Sequence, residues 1–222
     1  VGTFVTEGRY KGKHLGTIGH YGAFSFNGNK IMTTGGGGLA ICHDDVLKHH
    51  LAILTEEAQD MSKKEDNLLF IHTEVGYNYR MNNIAAALGL AQLENLEKFV
   101  KAKNDNFKLY CELLNGKNGL RLIPYTPGIR SSMWFYSLYL EDCKITRNEL
   151  MYKLAERHIR SRPIWLLNPD QKPYLDSQCM PLPNARNYVD KIVNIPCSSG
   201  LTEEEVRIVC EEILDLTKKK VI

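Results

Sequence analysis

The sequence predicts an α/β fold in two parts. Residues 1–82 read as the closing part of a larger α/β domain, and residues 83–222 as a long linking helix with a small α+β domain. Three patterns carry this. Two short apolar runs, Tyr21 to Phe26 and Leu39 to Cys42, bracket a turn-rich stretch and are followed by helical spacing. From Asn83 onward, Ala86, Leu90, Leu93, Leu96 and Val100, then Phe107, Tyr110 and Leu114, recur along one helical face. After that face ends, strand and helix signals intermix, as in an α+β arrangement.

The two apolar runs predict buried strands. Asp44 or Asp45 is an N-cap for a helix through Val46, Leu47, Leu51 and Leu54. Glu56 to Asn67 is charged and predicts an exposed loop able to lie over a pocket. The helix from Asn83 is expected to run unbroken to a stop near Asn115-Gly116. A helix of that length commonly joins two subdomains, which puts the boundary near Arg80 to Asn83. Leu120 to Ile123 and Trp134 to Leu140 predict strands, the second from its alternation of Trp134, Tyr136, Leu138 and Leu140. Thr146 caps a helix carrying Leu150, Leu154 and His158, with Arg147 and Glu149 expected outside. Leu182 to Val189 is a weaker helix and Ile192 to Pro196 a strand. Thr202-Glu203-Glu204-Glu205 resembles a capping box, opening a last helix with Val206, Val209, Ile213 and Leu216 inward.

Composition narrows the function. Apolar residues are 43% and charged residues 24%, as in ordinary globular proteins, and the formal net charge is only +2, dispersed along the chain. Nucleic acid is therefore not an expected partner; Lys218-Lys219-Lys220 reads as a helix C-terminal cap. No apolar run approaches a membrane span, and no membrane partner is expected. The six cysteines form no Cys-x-x-Cys pair, and no signal-peptide pattern opens the chain, so a cytoplasmic protein with reduced thiols is expected. His49 and His50 diverge on a helix, and no metal site is expected.

The chemistry points to Lys30. Ser25-Phe26-Asn27-Gly28-Asn29-Lys30 and Thr33-Thr34-Gly35 surround one lysine with small hydrogen-bonding side chains. Lysine forms Schiff bases with carbonyl compounds, best when its ammonium is partly desolvated, and the surrounding hydroxyls, amides and glycine N–H groups can hold an anion. A pyridoxal-phosphate site needs this set around its lysine. The competing reading of Lys30 is a solvated loop lysine. Ser25 is either a phosphate ligand or a strand serine bonded to backbone, and Asn27 either a neighbour of that phosphate or a turn residue. Gly35 to Gly38 reads as a tight turn rather than a phosphate cradle, because no helix N-terminus follows directly.

Three blocks resemble one family, the DegT/StrS-type nucleotide-sugar aminotransferases: Gly22 to Gly38 around Lys30; Gly76-Tyr77-Asn78-Tyr79-Arg80-Met81-Asn82 with Ala85 to Leu93; and Ser161-Arg162-Pro163-Ile164-Trp165 ahead of Pro173-Tyr174. The resemblance implies the fold of the pyridoxal-phosphate-dependent transferases of fold type I: the C-terminal part of the large domain, then the small domain. It implies pyridoxal 5'-phosphate as cofactor, with Lys30 as the catalytic Schiff-base residue and Ser25, Asn27, Lys30 and Asn78 as its binding residues. The matching asparagine of the family reaches the neighbouring subunit's phosphate, so Asn78 implies a homodimer with shared active sites; otherwise Asn78 is a turn residue and Arg80 an ion-pair partner. Tyr77 and Tyr79 are expected to be partly buried in either case.

Arg162 and Trp165 lie in the block that the family places near its sugar-nucleotide entrance; otherwise they are a surface arginine and a core tryptophan. Leu167-Asn168-Pro169 departs from the Leu-His pair common in the family. The implied reaction moves an amino group, from an amino-acid donor such as glutamate, onto a nucleotide-linked keto sugar. The resemblance points to bacterial surface or flagellar glycans. The sugar-dehydratase branch of the family replaces the lysine by histidine, and position 30 is lysine. The family's region upstream of Val1, with the acidic partner of the cofactor ring, has no counterpart in this chain. The alternative is therefore an inactive fragment, and the polypeptide alone is expected to be inactive or nearly so.

Overall fold

The computed structural model describes residues 1–58, 72 and 74–218. They group in two compact units, Val1–Lys98 with Pro127–Ser132, and Phe99–Thr126 with Met133–Ile222.

In the first unit, β1 (Phe4–Val5) pairs antiparallel with β5 (Ile129–Arg130), and β2 (Tyr21–Ser25) pairs antiparallel with β3 (Gly38–Cys42). A short turn at Leu15–Thr17 lies against β2 so closely that a Cβ at Gly22 would come within 1.8 Å of the Gly16 carbonyl oxygen. Only glycine fits there. Helix α1 (Asp45–Thr55) opens on Asp44, whose carboxylate accepts from the Val46 and Leu47 N–H groups at 2.9 and 3.0 Å. Of the loop expected from Glu56 to Asn67, residues 59–67 lie outside the described residues.

Helix α2 (Asn83–Glu94) is capped by Asn82, which accepts from Ala85 N–H at 2.8 Å. The expected continuous helix is split at Asn95, and α3 (Leu96–Leu114) begins anew. Asn95 itself breaks it. Its side-chain amide takes the Ala91 carbonyl at 2.9 Å and its N–H turns back to Gln92 at 3.2 Å, displacing the regular ladder. The unit boundary follows at Lys98, whereas sequence reasoning put it at residue 82. Packing explains the difference: α2 runs so close to the first unit that a Cβ at Gly89 would lie 2.8 Å from Thr34 Cγ2.

The second unit is built on a four-stranded antiparallel sheet in the order β4 (Leu120–Leu122), β6 (Tyr136–Leu140), β8 (Ile192–Ile195), β7 (Arg162–Pro163). Its core joins Tyr110 and Leu114 of α3 to Leu122, Tyr136, Leu138 and Val193 of the sheet. Leu150 and Leu154 of α4 (Arg147–Glu156) and Val206 and Ile213 of α6 (Glu203–Thr217) complete it. Each such aliphatic burial contributes about 1.5–3 kcal/mol. Helix α5 (Pro183–Val189) precedes β8.

Arg147 is not outside as expected. Its side chain is 13% exposed, with the guanidinium bonded to the Val189 carbonyl and 3.8 Å from Asp190. Lys103 of α3 is 5% exposed. Its ammonium donates to the Trp134 carbonyl at 3.2 Å and to the Cys197 carbonyl, and stands 5.3 Å above the Tyr136 ring. Burial pushes this ammonium below the usual lysine range.

Both capping boxes form as sequence reasoning expected for the last helix: Glu149 receives the Thr146 N–H at 2.8 Å, and Glu205 the Thr202 N–H at 2.8 Å. These backbone bonds, and then the threonine hydroxyls, hold both carboxyls below the usual range. The folded state therefore binds these protons less readily than the unfolded chain. The stabilisation is complete above the unfolded glutamate value, about 4.3, and is lost as pH falls through the lowered folded one. The thermal midpoint of the wild type should accordingly fall more steeply below that pH than that of Glu205→Gln, measured by circular dichroism across acid pH.

Candidate functional site

Lys30 lies half-buried in the loop that joins β2 to β3. One carbonyl organises that loop. Phe26 O accepts the Thr34 N–H at 3.0 Å and the Thr33 hydroxyl at 2.9 Å, while Phe26 N–H donates to Gly37 O at 3.0 Å. Thr33 Oγ1 also accepts the Gly35 N–H at 2.9 Å, and a turn bond runs from Lys30 N–H to Asn27 O at 3.0 Å. Met32, 4% exposed, and Thr34, 7% exposed, anchor the loop inward.

Ser25 ends β2, opposite Gly38, with its hydroxyl accepting the Asn27 N–H at 3.4 Å. Ser25 and Asn27 are both exposed, and a Cβ at Gly28 would meet nothing within 4 Å. An accessible hydroxyl, an accessible amide and an approachable glycine backbone next to a half-buried amine fit a phosphate ester with an aldehyde. The glycine run is a turn, with Gly35 and Gly37 at φ 82° and 88°.

Asn78 stands elsewhere in the first unit. It lines a cleft of about 720 Å³ with Thr34, Gly36 to Gly38, Arg80 and Asn82; neither Ser25 nor Lys30 lines it. Arg80 pairs with Glu56 at 3.8 Å, an exposed contact worth little. Tyr77 and Tyr79 are 51% and 71% exposed, not partly buried as expected, and stack on each other at 5.1 Å. Beside them α2 buries no residue: Ile84 is 85% exposed, and Leu90 and Leu93 also face outward. Apolar surface of this extent normally meets a partner surface.

Arg162 and Trp165 belong to the second unit, where Phe135 brings them together. The Arg162 guanidinium lies 5.5 Å over the Phe135 ring, and Trp165 meets Phe135 at 5.4 Å and Trp134 at 5.8 Å. Trp165 is 59% exposed and so is not a core tryptophan. Sequence reasoning passed over Asn194; its signal was a lone amide inside the apolar run Ile192 to Ile195. Among the described residues no cluster of His, Cys, Asp and Glu is placed to hold a metal, and no helix is long and apolar enough to cross a membrane.

The fold is that of the pyridoxal-phosphate-dependent transferases of fold type I, the closing part of the large domain followed by the small α+β domain. The family profile of the DegT/DnrJ/EryC1/StrS aminotransferases matches residues 6–214, and the chain belongs to that family. The family is pyridoxal-phosphate dependent. The chain is 33% identical to the EpsN protein of Bacillus subtilis (strain 168), over 93% of this chain and 53% of that protein. It is 32% identical to the GDP-perosamine synthase of Vibrio cholerae, over 90% of this chain and 53% of that enzyme. Among solved structures, the aminotransferase TlmJ from Streptoalloteichus hindustanus superposes with a TM-score of 0.83 at 25% identity, covering 96% of this chain and 55% of that one. The chain spans about half the length of the curated relatives it matches.

The double role of the Thr33 hydroxyl sets a direct expectation. Thr33→Val keeps the shape and removes both bonds, at a cost of about 1–3 kcal/mol. Hydrogen exchange at the Thr34 and Gly35 amides should speed up, with exchange in the second unit unchanged.

Proposed function

We propose that this chain forms the lysine-bearing and small-domain part of a cytoplasmic, homodimeric aminotransferase. The enzyme moves an amino group, from glutamate, onto a nucleotide-linked keto sugar in bacterial surface or flagellar glycan synthesis. The single observation that carries the reading is a half-buried Lys30 on a clamped loop, with Ser25 and Asn27 exposed next to it, in a chain of this family. Likeness to GDP-perosamine synthases supports the substrate class. Lysine rather than histidine at position 30 favours amino transfer over sugar dehydration.

Pyridoxal phosphate, when bound, supplies the electron sink. In this reading Lys30 Nζ would hold the cofactor aldehyde and would later carry a proton at the same nitrogen. Ser25 Oγ and the Asn27 amide would donate to the phosphate, and Asn78 would serve the phosphate of a second copy. Arg162 meets the diphosphate of the sugar nucleotide, and Trp165 stacks on its base or sugar.

The test is chemical. The 222-residue chain, incubated with pyridoxal phosphate and reduced with borohydride, should carry the pyridoxyl label on the peptide containing Lys30, and Lys30→Ala should remove it. Label spread over exposed lysines alone, and unaltered by Lys30→Ala, overturns the assignment.

A further inference from the structure

The second unit contains a cavity of about 430 Å³ whose wall includes Phe135, Arg160, Ser161, Arg162, Asn194 and Glu205. Its volume falls in the range of small-molecule sites, about 300–1,000 Å³. Asn194 is the informative residue. In the sheet it stands opposite Ser137 on one side and Arg162 on the other, so these side chains share a face. The Ser137 hydroxyl donates to Asn194 Oδ1 at 2.9 Å, which fixes the way the amide points.

That leaves Nδ2 without an acceptor, although Asn194 is only 3% exposed. Ser161 Oγ, on the same cavity, is also buried and also unmatched. Protein interiors pair nearly all such groups with protein or water, and two unmet groups on one cavity offer hydrogen bonds to a ligand's polar atoms.

Charge gives the sign of that ligand. Neither Arg160 nor Arg162 has a carboxylate partner among the described residues. Glu205 is the only acid of the wall, and one of its oxygens already accepts the Thr202 N–H and hydroxyl. Two guanidinium groups against one engaged carboxylate leave the cavity cationic. We propose that it binds the oxyanion of an organic ligand, phosphate or carboxylate. Asn194 Nδ2 is the buried donor, Ser161 the second, and Arg160 and Arg162 form the charged rim. The aliphatic side chains of β8 and α6 accommodate the rest of the ligand.

This extends the substrate contact proposed above for Arg162 and adds Asn194 and Ser161 to it. Both tryptophans of the chain, Trp134 and Trp165, lie within 6 Å of the Phe135 ring, so their emission reports binding without any cofactor. The 222-residue chain is titrated with uridine diphosphate, uridine, glutamate and inorganic phosphate, and saturation is checked by calorimetry. Uridine diphosphate binding without uridine binding assigns the anion to a nucleotide phosphate, and glutamate binding assigns it to a carboxylate.

In either case Asn194→Asp should weaken the ligand about tenfold or more, as loss of a charge-assisted hydrogen bond does. Should that variant not fold, the exposed Arg162→Gln and the conservative Ser161→Ala carry the test, each weakening binding several-fold with an unchanged melting curve. No saturable binding of any ligand to the wild type, or folded variants that bind as tightly, overturns the proposal. Because Lys30 plays no part in this titration, binding without label at Lys30 separates the two readings, as does label without binding.

Discussion

The Phe26 carbonyl oxygen holds the Lys30 loop in place. Two donors from consecutive threonines converge on it, and the same residue's N–H ties to Gly37, so both ends of the lysine loop are pinned at one peptide group. Few apolar side chains are buried near it, Met32 being the main one. The loop therefore owes its shape to hydrogen bonds and glycine turns rather than to packing. The role proposed for Lys30 calls for such a segment, open on one side. Directional bonds fix the backbone without filling the space beside it.

The second unit works the other way. Its sheet, α3, α4 and α6 close on a continuous apolar core, and polar function is pushed to the rim where β7 adds a two-residue edge. Arg162 is on that edge strand, stacked on Phe135, with Trp165 just beyond. A short edge beside the sheet suits the recognition role proposed for these side chains: the backbone of Arg162 is held by β8, and both residues are exposed.

Much of this was legible in the sequence, for identifiable reasons. The strands around Lys30, though not their expected burial, the helix caps and the last helix announce themselves through local chemistry, because caps and turns are decided within a few residues; β2 and β3 bury no residue. The Lys30 loop was readable as a turn-rich connection between two strands for the same reason. What was missed depends on tertiary context. Asn95 interrupts a helix whose apolar spacing continues across it, because spacing does not register a side chain competing for a carbonyl. Arg147 looks like a surface residue until the Val189 carbonyl is brought to it. Asn194 looks like an ordinary strand residue until the sheet order places Ser137 and Arg162 at its sides. Tyr77 and Tyr79 stack on each other in the open, which neither composition nor spacing foretells.

Lys103 has a consequence for how such a chain can change over generations. Its buried ammonium is received by two main-chain oxygens, at Trp134 and Cys197, and by the face of Tyr136. Main-chain acceptors are indifferent to the side chains attached to them, so positions 134 and 197 can drift freely as far as this contact is concerned. Position 103 has no such latitude. Losing the cation takes away the donor these two interior carbonyls share, leaving the Trp134 oxygen with the Cys197 thiol at 3.4 Å, and a coordinated exchange of several neighbours is needed to restore the balance.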